Sequence, residues 1–94
     1  MPIRTVAVNL TSSGGVVAAG ECWVEGFYVN STTNGTIKLY NNPTEAVEIN
    51  PVLTGTITPA IGSHCLYGLH ATAGLYVLIN AGTLDITFFK READ

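Results

Sequence analysis

Cys22-Trp23-Val24-Glu25-Gly26-Phe27-Tyr28-Val29-Asn30, then Ser31-Thr32-Thr33-Asn34-Gly35, then Thr36-Ile37-Lys38-Leu39-Tyr40: this stretch decides the fold class. It is rich in the β-branched and aromatic residues that suit a pleated surface, and it carries no apolar stripe at helical spacing. Alternation puts Trp23, Phe27 and Val29 on one face of a first strand and Cys22, Val24 and Tyr28 on the other. Gly26 interrupts that strand as a bulge or a close backbone approach. Asn34-Gly35 is the pair that most easily takes positive φ, so residues 31–35 read as a hairpin loop. Residues 35–40 then return, with Ile37 and Leu39 inward and Thr36, Lys38 and Tyr40 outward.

The same grammar repeats outward from this stretch. Residues 3–10 alternate Val6, Val8 and Leu10 against Thr5, Ala7 and Asn9, and residues 11–15 turn. Residues 16–20 are a short strand or an extended link, 41–44 a turn, and 46–49 a weak strand. Residues 52–58 set Leu53, Gly55 and Ile57 against Thr54, Thr56 and Thr58, and 59–63 turn again. Further strands are expected over 64–69, 74–80 and 83–90, with Ala81-Gly82 as a tight turn. In the last of them Leu84, Ile86 and Phe88 face inward, opposite Thr83, Asp85 and Thr87. The pattern predicts a single all-β domain over 1–94, an antiparallel β-sandwich or small jelly-roll-like barrel of seven to nine short strands. Its core would span residues 3–90, followed by a fraying C-terminal tail, 91–94.

Composition bounds the function. A chain of 94 residues is one domain, able to bury about 9,000 Å² on folding, roughly 64% of its unfolded surface. Apolar residues make up 47% and charged ones 12%, against about a quarter charged in a usual soluble domain, which excludes a disordered chain. Four charges, Lys90, Arg91, Glu92 and Asp94, crowd the C-terminal end. Sheet edges are normally protected by charge. Its scarcity here favours edges covered by neighbouring subunits.

The net charge of −3, with no basic run, leaves no footprint for nucleic acid. No apolar run has the length of a membrane helix or of a signal peptide, so neither a membrane span nor a secreted precursor is expected. Asn9-Leu10-Thr11, Asn30-Ser31-Thr32 and Asn34-Gly35-Thr36 are then chance sequons. Cys22 and Cys65 are expected to be reduced, buried thiols.

A search for chemistry finds no set of convergent groups. Glu21 and Glu25 would lie on one strand face about 13 Å apart, too far for paired carboxylate chemistry on one sugar. His64, His70, Cys65 and Cys22 lack the close spacing of zinc ligands. A serine triad built on His64 or His70 with Asp85 has no accompanying nucleophile elbow. Gly14-Gly15 is followed by Val-Val-Ala-Ala, so it is not a phosphate loop. No enzyme activity, cofactor or metal is expected. Trp23, Phe27 and Phe88 read as core, and Tyr28, Tyr40 and Tyr76 as exposed aromatics at its border.

The succession Gly26-Phe27-Tyr28-Val29, Gly35-Thr36-Ile37-Lys38-Leu39-Tyr40, Pro59-Ala60-Ile61-Gly62, Gly74-Leu75-Tyr76-Val77 and Gly82-Thr83-Leu84-Asp85-Ile86-Thr87-Phe88-Phe89 resembles small β-proteins of tailed bacteriophages. The resemblance covers residues 20–90; the chain departs from it in ending on Lys90-Arg91-Glu92. It implies a virion structural protein, above all a capsid decoration (cement) protein, made in the host cytoplasm and carried on the capsid surface. Its partners would be the major capsid protein and itself, as a homo-oligomer with a trimer favoured. Termini commonly reach across to neighbours, so the candidate interface is Ile3, Arg4, Val6 and Val8 with Lys90, Arg91 and Glu92. The alternatives are a carbohydrate- or receptor-binding head-fibre or tail module, using Tyr28, Tyr40 and Tyr76, and a neck or tail completion protein.

Overall fold

In the computed structural model, the stretch from Cys22 to Tyr40 does not turn back on itself. The structure describes residues 3–11, 13–45 and 53–93, with the backbone alone for Ile3, Arg4 and Ala93. Among the described residues five strands form one sheet: β1 (Ile3–Leu10), β2 (Gly14–Ala18), β3 (Cys22–Tyr40), β4 (Gly62–Ala71) and β5 (Leu75–Ala93). Every ladder is antiparallel. β3 and β5 are 19 residues each and run side by side from Trp23 opposite Arg91 to Tyr40 opposite Tyr76. β1 pairs with the C-terminal half of β5, β2 with its N-terminal half, and β4 with the N-terminal half of β3. No helix among the described residues is long and apolar enough to cross a membrane.

Both expected hairpin turns, at 31–35 and at 81–82, are corrected by this topology. Thr33 pairs with Thr83 and Thr36 with Ala81, so Asn34 and Gly35 stand opposite the single residue Gly82. Asn34 has φ 53° and Gly82 φ 65°. The positive φ that Asn-Gly favours is therefore realised, but in a bulge, where extra residues on one strand oppose fewer on its partner. β3 finds the same partner strand on either side of the bulge, and nothing reverses the chain.

A straight strand of 19 residues would be about 60 Å long, whereas the longest dimension of the molecule is 40 Å. β3 and β5 must bend. Their register shifts, between Val24 and Gly26, Val29 and Ser31, and Thr33 and Thr36, are where an unpaired residue lets an antiparallel ladder kink. The bend gathers both halves around one core, with Val24, Phe27, Val29, Ile37 and Leu39 from β3 meeting Leu75, Val77, Leu84, Ile86 and Phe88 from β5.

The bulge at Gly26 also corrects the expected faces of β3. An extra residue shifts the alternation by one, so Cys22 and Val24 enter the core together with Phe27 and Val29, and Trp23 is left outside. The inward sets Ile37/Leu39 and Leu84/Ile86/Phe88 are as expected. The expected tail is corrected as well: β5 runs to Ala93, with Arg91 and Glu92 laddered to Thr5 and Arg4. Residues 54–58 form no strand; Ile57 makes one isolated bridge to Ile37, and the next amide, Leu39 N–H, donates to the Thr54 hydroxyl. The weak strand expected at 46–49 lies outside the described residues.

Gly82 carries a testable load. A Cβ there would overlap the carbonyl oxygens of Thr33 and Asn34 across the ladder, and its φ is one that side chains resist. Gly82→Ala is expected to destabilise the fold by about 2 kcal/mol. Gly20→Ala, with nothing near its Cβ, should stay within about 0.5 kcal/mol of the parent. Urea unfolding midpoints of the two variants measure the difference.

Candidate functional site

With Leu84, Ile86, Phe88 and Lys90 directed inward, alternation turns Asp85, Thr87, Phe89 and Arg91 outward along the central strand. Their neighbours across the ladders build a four-stranded outer face in rows. One row runs Thr5, Arg91, Trp23, His70; the next Ala7, Phe89, Gly26, Cys65; the next Asn9, Thr87, Tyr28, Ser63.

The first row is aromatic and polar, with each polar head in contact with a partner. Trp23 and His70 stack at 4.9 Å with 4° between their planes. His70 Nε2 lies 2.6 Å from Glu21 Oε2, and Arg91 Nε lies 3.1 Å from Glu25 Oε1. In the second row Gly26 has no side chain, and a Cβ there would overlap the His64 carbonyl oxygen. Beside it lies a cavity of about 240 Å³ lined by Glu25, Gly26, Phe27, Ser63, His64, Cys65 and Phe89. The third row is polar. Asn9 Nδ2 donates to Asp85 Oδ1 at 2.8 Å and to Thr87 Oγ1 at 3.0 Å, and Asn30 Nδ2 donates to the same two atoms at 3.2 and 3.3 Å.

The residues singled out from the sequence are scattered by this arrangement. Val6 and Val8 lie on the inward side of β1, Val8 packed against the core, so they do not share a surface with Arg91. Lys90 is 9% exposed, with Nζ 3.3 Å from Glu92 Oε2; it roofs the end of the core and is not a free tail charge. Of Ile3 and Arg4 the backbone places them at the far end of β1, opposite Ala93 and Glu92. Tyr28 is 43% exposed as expected, but Tyr40 is corrected to buried, with Lys38 Nζ 5.3 Å from its ring centre. Tyr76 is half-buried opposite Tyr40, at the other end of β3 from Tyr28. The three tyrosines do not form one platform.

The groups considered for chemistry are likewise held apart. His64 Nε2 contacts the Ala60 carbonyl, His70 contacts Glu21, and Asp85 sits between two asparagines. Both thiols are free; Cys22 is buried, whereas Cys65 is exposed, a correction to the expected burial of both. What sequence reasoning missed is the Asn9–Asp85–Asn30–Thr87 cluster and Tyr67, 91% exposed at a bulge of β4 with φ 56°. The outward parity of Asn9, Asp85 and Thr87 was readable, but which strands lie beside one another was not.

Comparison of the chain with protein-family models, with curated proteins and with solved structures gives no match.

The two cysteines are expected to behave differently. Native protein should expose one thiol per chain to an aromatic disulfide reagent, and a second after denaturation. Burial raises the pKa of Cys22, Lys90 opposing the shift. Its folded pKa thus exceeds the unfolded value of 9.0, so the stability it contributes is present below about pH 9 and is lost as pH rises beyond it. Stability profiles of the parent and of Cys22→Ala should therefore converge in slope below pH 9 and diverge above it, the parent falling faster.

Proposed function

We propose that this chain is a non-enzymatic structural protein of a tailed-bacteriophage virion, a capsid decoration (cement) protein that binds the assembled shell as a homo-oligomer, with a trimer favoured. The observation that carries this reading is where the charges stand. Natural sheets place charge on their edge strands, to keep the unpaired N–H and C=O groups from recruiting another chain. Here β1, β2 and β4, the strands paired on one side, hold a single formally charged residue between them, Arg4. Glu25, Lys38, Asp85, Lys90, Arg91 and Glu92 all lie on β3 and β5, Glu25, Lys90 and Arg91 where these strands are flanked on both sides and Lys38 and Asp85 where they are laddered on one side. β4 presents ten residues with no Asp, Glu, Lys or Arg. Such edges suit a protein whose working state is an assembly.

The outer face supports the same reading. Trp23 and Phe89 lie beside the Arg91–Glu25 ion pair, a composition closer to the centre of a protein interface than to open surface. The resemblance to small phage β-proteins supplies the class of partner, the major capsid protein at the virion surface. A ligand that binds the assembled lattice better than its separated subunits stabilises the lattice by mass action. An oligomer does so with weak individual contacts, because its sites act together.

For the fold, this reading takes β3 and β5 each as two strands hinged at the Asn34-Gly35/Gly82 bulge. The five continuous strands then count as seven, in two packed layers of a small β-sandwich. The thinnest dimension of 19 Å accommodates two layers at a spacing of about 10 Å. The interface is drawn from the edges β1 and β4 and the outer face, in place of a terminal tail.

Quantitative mass spectrometry of purified virions tests the proposal. A decoration protein is expected in many copies, in simple proportion to the major capsid protein. One ring of copies per particle would assign it instead to a neck or tail. Placing lysines on the β4 edge, as Ser63→Lys with Cys65→Lys, is expected to reduce the oligomer to monomer in sedimentation and to lower virion occupancy.

A further inference from the structure

The polar row of the outer face has a chemistry that self-association does not use. Asp85 Oδ1 accepts an N–H from Asn9 and another from Asn30, and Thr87 Oγ1 accepts from the same two amides. Asn9 Nδ2 also lies 3.2 Å from the Ile86 carbonyl oxygen. Both amides are thus oriented by their N–H bonds, because the reverse orientation would set amide oxygens against a carboxylate. Among the described side chains, Asp85 Oδ2 and the Oδ1 atoms of Asn9 and Asn30 receive no donor, and no basic group pairs with Asp85. With its oxygen facing two donors, the Thr87 hydroxyl has its own proton to give. Beside this cluster stands Tyr28, directly opposite Thr87 in the ladder and 43% exposed.

We propose that Asn9, Tyr28, Asn30, Asp85 and Thr87 form a binding site for a neutral pyranose. The site wants a ligand rich in hydroxyl donors, since it offers several oriented acceptors and one donor. A carboxylate held by two amides presents its open oxygen to a pair of adjacent hydroxyls, and hydrogen bonds to a charged acceptor are the stronger kind. Tyr28 supplies a face for the C–H side of the ring. The cluster spans β1, β5 and β3, about 10 Å across, which matches one sugar ring. Charge complementarity narrows the choice. Asp85, with no cation beside it among the described side chains, repels acidic sugars and phosphates. A dication would need both asparagine oxygens turned inward, at the loss of the four N–H bonds that hold the cluster.

The test uses the full chain, with the methyl glycosides of glucose, galactose, mannose and N-acetylglucosamine as probes, and sialic acid and choline as charged controls. Saturation-transfer NMR should show binding of at least one neutral glycoside and neither control. Amide shifts on titration should centre on residues 9, 28, 30, 85 and 87 of the parent protein. Asp85→Asn and Tyr28→Ala are each expected to weaken that binding by about tenfold or more. The proposal fails if no neutral glycoside binds at tens of millimolar, if the shifts centre elsewhere, or if choline binds in their place. It fails equally if both variants, folded by their amide spectra, bind as the parent does.

Discussion

The antiparallel ladder between β3 and β5 holds the molecule together. It joins two 19-residue strands from Trp23/Arg91 to Tyr40/Tyr76, and every other described strand attaches to one of them. Because the ladder is longer than the molecule, it has to bend, and its register shifts, the one where Asn34 and Gly35 oppose Gly82 among them, are the points at which an antiparallel ladder can kink. The bend lets one continuous pair of strands supply both halves of a core. Phe88, fully buried in one half, and Leu75, fully buried in the other, belong to one apolar cluster for this reason.

The same ladder explains the surface. Where β3 and β5 are flanked by strands on both sides, near Trp23 and Arg91, their outward residues form the middle of the outer face. Outward charges of β3 and β5 are carried on this face, as Glu25 with Arg91 and, at its polar end, as Asp85 between two asparagines. They are thus spent on the face, and the edges are left nearly neutral. Edges with so little charge are of the kind that pair with other chains, and the proposed assembly role rests on that tendency. The face itself divides into an aromatic end around Trp23 and a polar, acceptor-rich end around Asp85.

Much of the fold was legible residue by residue. The strand at 3–10 and the inward sets Leu84/Ile86/Phe88 and Ile37/Leu39 follow from alternation, which depends on neighbours along the chain. Gly26 was readable as a break in β3, but the direction in which it shifted Trp23, Cys22 and Val24 needed the partner strand. The burial of Tyr40 and Lys90 was hidden for the same reason, since each is covered by groups that fold over it from its surroundings. The Asn9–Asp85–Asn30–Thr87 cluster joins residues up to 78 positions apart, and no local pattern announces it.

The amino-acid sequence alone determined that the chain is all-β, where backbone with positive φ is favoured, and that charge is scarce. Those properties are local or additive: side-chain shape, the freedom of Asn and Gly, and a count. The tertiary structure alone decided that Asn34-Gly35 and Gly82 make a bulge rather than two turns, so that among the described residues five continuous strands stand where seven to nine short ones were expected. A positive φ says that the backbone kinks, not whether the chain reverses. Reversal depends on which strand waits on the far side, and here β5 lay alongside β3 both before the kink and after it.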